Sequence, residues 1–143
     1  MRTRAGRVWA IAIAACIGAG VAAPALDAHH SFAMYDQSIE RTFTGKLVRF
    51  IIGANHSQFI FDLVDEGGTP TGEQWGVETG PASQLARQGI TVESFPIGTI
   101  FTVSLNPLRD GRNFGALQSS VVMCGMTMPP GGCTEGTGTA FGR

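Results

Sequence analysis

The sequence predicts an all-β domain that contains five strands and one short helix. Segments with alternating apolar and polar residues recur along the chain, and turns rich in glycine and proline separate them. A single short segment between the third and fourth strands has the signals of a helix. The 143 residues leave room for one such domain.

The first three strands are predicted over residues 40–52, 57–65 and 73–79. Alternation in the first segment is imperfect, which is typical of a curved strand, and Gly45 within it indicates a bulge. The second segment alternates more clearly, with phenylalanines on one face. The third is short and places Trp75 on the same face as its central valine.

The helix is predicted over residues 80–89, where Pro81 suits the first turn and Gly89 suits the position after the last. A fourth strand covers residues 99–105 and a fifth covers residues 114–123, and an Asp-Gly pair between them indicates a hairpin. Five strands with one helix between the third and fourth is the element order of the OB fold, a small Greek-key β-barrel. An antiparallel β-sandwich is the alternative.

The start of the chain resembles a secretory signal. Three arginines within residues 2–7 precede an apolar stretch over residues 8–23, and small residues follow. We expect a signal peptide over residues 1–28 and a protein in the periplasm or secreted. Cleavage after Ala28 would make His29 the new N-terminus, and cleavage after residue 25 is an alternative. A lipobox-like sequence ending at Cys16 allows a lipid-anchored form instead.

The remaining chain divides into three predicted parts: a histidine-containing segment over residues 29–39, the barrel over residues 40–124, and a disordered tail rich in Gly, Thr, Met and Pro over residues 125–143. From His29 onward there are seven arginines and lysines and ten aspartates and glutamates. This acidic balance, without a basic run, argues against nucleic acid as a partner. No second apolar run is long enough for a transmembrane segment after signal removal.

Seven short segments resemble the motifs of a known family. They are residues 29–36 (HHSFAMYD), 44–48 (TGKLV), 56–59 (HSQF), 75–78 (WGVE), 80–89 (GPASQLARQG), 96–99 (PIGT) and 109–111 (RDG). Together they are similar to an uncharacterised family of small exported bacterial proteins, classified as a domain of unknown function. The resemblance implies export and a small β-rich domain, and it implies no established activity.

Three histidines are the candidate metal ligands. If cleavage follows Ala28, His29 offers both a terminal amine and an imidazole, and His30 or His56 can supply a third nitrogen. Nitrogen donors in a tetragonal arrangement suit Cu(II), so the tentative cofactor is copper or another transition metal. The alternative is that the adjacent histidines are ordinary solvated residues near a terminus.

Two cysteines remain after the predicted signal. Cys124 and Cys133 are expected to form a disulfide, as short cysteine spacings do in an oxidising compartment. The alternative is a Cu(I) site in which both thiolates act together with the neighbouring methionines, because soft sulfur donors suit that ion.

Ligand binding by the barrel itself is a further possibility. The strand aromatics are expected in the core, but Trp75 is the candidate for an exposed ring that stacks on a ligand. Glu78 and Asp62 could pair as acid and base, yet no motif assigns a catalytic residue, so an enzyme is disfavoured. The sequence therefore predicts an exported binding protein for a small ligand or metal ion. The alternative is a non-catalytic accessory module that docks a periplasmic protein or a glycan.

Overall fold

The structure, a computed structural model, describes residues 32–142. The predicted signal peptide over residues 1–28, with Cys16, lies outside this range, and so do His29 and His30. Among the described residues, none of the helical segments is long and apolar enough to cross a membrane.

Seven strands and one helix form the described domain. In chain order they are β1 (Arg41–Ile51), β2 (Ser57–Val64), β3 (Pro70–Thr79), α1 (Ala82–Arg87), β4 (Ile100–Pro107), β5 (Phe114–Leu117), β6 (Val121–Gly125) and β7 (Thr139–Phe141).

The first five strands close into a barrel. Their order is β1-β2-β3-β5-β4, and a second pairing joins β4 back to β1. Within this ring only the β3–β5 pair is parallel. The closed five-stranded barrel with one short helix confirms the predicted fold class and its OB-like order, and it excludes the sandwich alternative.

Strand β1 serves two sides of the barrel because it curves. Its first half, Arg41 to Lys46, pairs with β4, whereas Gly45 to Ile51 pair with β2. The β1–β2 register shifts between Leu47 and Arg49, so the strand has a bulge, located shortly after Gly45, the residue that indicated it. At Gly45 a Cβ atom would collide with the Phe61 ring, so the absence of a side chain lets the two strands approach.

The predicted fifth strand, residues 114–123, is two strands in the structure. Strand β5 pairs with β3 and with the second half of β4, whereas β6 pairs with the first half of β4 and with β7. Both strands run antiparallel to β4. The alternation of apolar and polar residues therefore continues from β5 into β6 across the break at residues 118–120. The alternation alone therefore concealed the break.

The end of the chain differs from the predicted disordered tail over residues 125–143. Strand β7 pairs with β6, and the Thr137 hydroxyl donates a 2.6 Å hydrogen bond to the Gly132 carbonyl. Cys133 is buried and joined to Cys124 by a disulfide. A covalent link to β6 and local turn hydrogen bonds order this segment although its composition has little to bury.

The barrel interior is packed with aromatic rings. Phe59, Phe95 and Phe101 meet edge to face, with ring centroids 4.9 to 6.2 Å apart. Such pairs contribute about 0.5–1.5 kcal/mol each beyond their buried area. Helix α1 adds Leu85 to this core, which explains why so short a helix is held in place.

Candidate functional site

The segment before β1 is docked on the outside of the barrel. The Asp36 amide donates to the Pro107 carbonyl at 2.8 Å, and the Arg109 amide donates to the Met34 carbonyl at 2.9 Å. The buried Asn106 side chain donates to the Ile39 carbonyl at 2.6 Å. Residues 32–39 are therefore part of the folded domain rather than a loose leader to it.

Tyr35 anchors this segment. Its side chain is 1% exposed and packs with Leu108, Ala116 and Phe114 in a cluster separate from the main core. Its hydroxyl donates a hydrogen bond to the Glu78 carboxylate. Burial, together with the negative charge and hydrogen bond of Glu78, raises the pKa of Tyr35 to about 12. At neutral pH the phenol is thus a hydrogen-bond donor and not a base.

Glu78 lies between Tyr35 and a histidine. It stands on β3, opposite Gln58 of β2 and Ala116 of β5. One carboxylate oxygen, Oε1, is 3.3 Å from Nδ1 of His56. Since a carboxylate only accepts, a hydrogen bond in this contact would place the proton on Nδ1 and leave the lone pair on Nε2 when the ring is neutral. We call the three side chains the Tyr35–Glu78–His56 network.

The tight turn between β1 and β2 presents His56. A Cβ atom at Gly53 would collide with the His56 carbonyl oxygen, so this turn requires glycine. The Gly53 amide also donates to the Ser57 hydroxyl at 3.2 Å. The His56 side chain remains 46% exposed. The network therefore runs from a buried phenol to an imidazole that solvent reaches.

This arrangement can orient one metal-binding nitrogen. Histidines that ligate metals usually donate their second ring nitrogen to a carboxylate or carbonyl, which fixes the ring and raises its basicity. His56 makes this contact with Glu78. Within residues 32–142, however, no three His, Cys, Asp or Glu side chains are grouped to hold an ion. The described domain supplies His56, and the other two predicted ligands, His29 and His30, lie outside it.

Trp75 is not the exposed ring that the sequence suggested. It is 5% exposed, its centroid is 4.4 Å from that of Phe43, and its indole nitrogen donates to Glu73 at 2.8 Å. The Arg41 guanidinium lies over the ring at 5.9 Å. Trp75 pairs with the inward-facing Phe61 across the β2–β3 ladder, so strand alternation places it in the core.

The two cysteines of the candidate Cu(I) site form a disulfide. Cys124 and Cys133 are joined, with their Cα atoms 5.7 Å apart, so neither offers a thiolate to Cu(I). Met128 packs against Ile100, Val122 and Cys133. This part of the domain is built as a packed, cross-linked cluster.

Sequence reasoning did not foresee the partners of Glu78. It paired Glu78 with Asp62, whereas Asp62 accepts a 2.9 Å hydrogen bond from Gln74. Tyr35 received no role, although it and Glu78 both lie in segments that resemble family motifs. The network depends on barrel closure and on docking of the N-terminal segment, which local patterns do not report.

The fold and this network define a class: a small closed barrel of OB-like order whose N-terminal segment is locked by a buried tyrosine. The chain belongs to the Family of unknown function (DUF6152), whose model matches residues 16–118. All three residues of the network fall within that match. No curated protein and no solved structure matches the chain.

Proposed function

We propose that the protein is an exported metal-binding protein, and that His29, His30 and His56 hold one copper ion. The 3.3 Å contact between Nδ1 of His56 and the Glu78 carboxylate is the observation that carries this proposal. It directs Nδ1 toward the carboxylate, so Nε2 is the ring nitrogen available to a metal on this accessible side chain.

Chain length supports the participation of the other histidines. Tyr35 and His56 both contact Glu78, so the docked segment passes close to the His56 side chain. His30 precedes Tyr35 by five residues, and five extended residues span at most about 17 Å. The proposal requires this short connection to bring His29 and His30 to Nε2 of His56.

The donor types favour copper. Two or three imidazoles, joined by the terminal amine when cleavage follows Ala28, make a nitrogen-rich set that suits tetragonal Cu(II). Copper also has the highest affinity of the first-row divalent ions for such donors. The disulfide between Cys124 and Cys133 supports export, because such bonds persist in oxidising compartments such as the periplasm.

Native mass spectrometry of the protein exported from its own signal tests this function. We expect one retained copper per chain and a mature mass that begins at His29. The triple variant His29→Ala/His30→Ala/His56→Ala should lose the ion, while Asn55→Ala, beside His56 in the same turn, should keep it. Equal copper retention by the triple variant would show that the histidines do not form the site.

A second candidate is a non-catalytic accessory module that docks a periplasmic protein. The observation in its favour is that Phe32 and Met34, on the docked segment, are 45% and 47% exposed. Exposed apolar side chains near one another are a feature of docking surfaces. A Phe32→Ser/Met34→Ser variant that binds copper normally but loses a cross-linked partner in the periplasm would favour this role.

A further inference from the structure

We propose that a depression between the N-terminal segment, β1 and the β4–β5 turn binds a small organic carboxylate. This inference is independent of the copper proposal. The depression has a volume of about 260 Å³. Its walls combine apolar surface from Ile39, Trp75 and Leu108 with three guanidinium groups, those of Arg41, Arg109 and Arg112.

Positive charge is concentrated at this place. Residues 32–142 contain six arginines and lysines against ten aspartates and glutamates. Half of these cationic side chains line the one depression. Because the domain as a whole is acidic, this depression is where an anion meets the most cationic side chains.

The three arginines differ in how closely a carboxylate holds them. Arg112 is held by Asp110, whose Oδ2 lies 2.9 Å from both Nε and Nη2. Arg109 lies 3.7 Å from Asp36, which is longer than a hydrogen bond.

Arg41 has a different kind of contact. It lies over the Trp75 ring, and within residues 32–142 it forms no ion pair with a carboxylate. The nearby Glu73 accepts hydrogen bonds from Trp75 and Asn113 rather than from an arginine.

The free donors of the arginines indicate the class of ligand. Asp36, Asp110 and Glu73 match the three guanidiniums in number, but within the described residues only Arg112 is hydrogen-bonded to a carboxylate. Arg41 and Arg109 therefore keep N–H groups that can donate to one added carboxylate. Guanidinium groups bind planar carboxylates through paired hydrogen bonds. The apolar wall and the small volume suit a compact hydrocarbon or ring attached to that carboxylate.

Benzoate is a suitable probe, with benzyl alcohol and inorganic phosphate as comparisons. We expect saturable amide shifts in NMR spectra of the full mature protein, centred on Gly111 and Asn113. Arg109→Gln and Arg41→Gln should each raise the dissociation constant for benzoate at least about fivefold, since each removes a charged hydrogen-bond donor. Arg87 on α1 is an exposed arginine away from the depression. Its replacement, Arg87→Gln, is the matched control and should leave the dissociation constant for benzoate unchanged.

Three results would overturn the proposal: no saturable shift, equal binding of benzyl alcohol, or a loss in Arg87→Gln as large as that in Arg109→Gln. Equal binding of phosphate would also contradict it, because the depression would then attract anions without selecting a carboxylate. A His56→Ala variant should bind benzoate normally, which separates this site from the copper site.

Discussion

Tyr35 and His56 share one carboxylate. The buried Tyr35 phenol donates to the Glu78 carboxylate. Nδ1 of the more exposed His56 lies 3.3 Å from Oε1 of the same carboxylate. The contact joins the N-terminal segment to the β1–β2 turn through β3. A change at either end is therefore expected to affect the other.

Replacing the shared carboxylate should weaken copper binding. In Glu78→Gln the amide no longer provides the charged acceptor that orients and polarises His56. Loss of such an outer contact lowers metal affinity about 10- to 100-fold, and isothermal titration with Cu(II) measures it. Asp62→Asn removes another outward carboxylate of the sheet and is the control. Equal affinity in Glu78→Gln and the wild type would mean that His56 acts without this partner.

Removing only the hydroxyl of Tyr35 should destabilise the fold. Tyr35→Phe keeps the packing with Leu108 and Phe114 but leaves Glu78 without its phenol donor. We expect the free energy of unfolding in urea to fall by about 1 kcal/mol. Phe32→Ala, on the same segment but exposed, should change it by less than about 0.5 kcal/mol. A larger loss in Phe32→Ala than in Tyr35→Phe would contradict this view of the anchor.

The same tyrosine should make stability fall at high pH. Its pKa is raised from 10.0 to about 12 in the folded state, so folding favours the protonated form. The stabilisation is complete below pH 10.0 and is lost as pH rises toward about 12. Tyr35 is the only tyrosine in the chain, so tyrosinate absorbance during an alkaline titration reports it directly. A midpoint near 10 in the folded protein would show that the phenol is neither buried nor held by Glu78.

The disulfide should hold the end of the chain against the barrel. Cys124→Ser/Cys133→Ser is expected to lower the free energy of unfolding by about 2–3 kcal/mol, because the bond closes a short loop. Limited proteolysis should then cut first between residues 126 and 138, whereas the oxidised wild type resists. Identical cleavage of both proteins would mean that β7 pairing alone orders this segment.

Much of the barrel could be predicted from the sequence, because alternation at Phe59 and Phe61 and the helix signals at Pro81 and Gly89 are local. The break between β5 and β6 could not be predicted, because both strands pair with β4 and keep the same alternation of side chains across it. The order in the last residues depends on the bond at Cys133, which composition does not reveal.

The candidate site was predicted only in part. His56 was identified as a donor, but its carboxylate lies 22 residues away in sequence and the tyrosine beyond it precedes both. The contact between His56 and Glu78 arises from the pairing of β2 with β3, and the approach of Tyr35 arises from docking of its segment beside Leu108 and Ala116. Trp75 was misjudged because a ring near the end of a short strand can face either way, and its pairing with Phe61 decides the direction.

Pulsed electron paramagnetic resonance of the Cu(II)-loaded mature protein counts the imidazoles bound to copper, and so shows whether His56 is a ligand. We expect His56→Ala to have one imidazole fewer than the wild type and Asp62→Asn to have the same number. An unchanged count in His56→Ala would contradict the claim that the Tyr35–Glu78–His56 network presents a metal ligand.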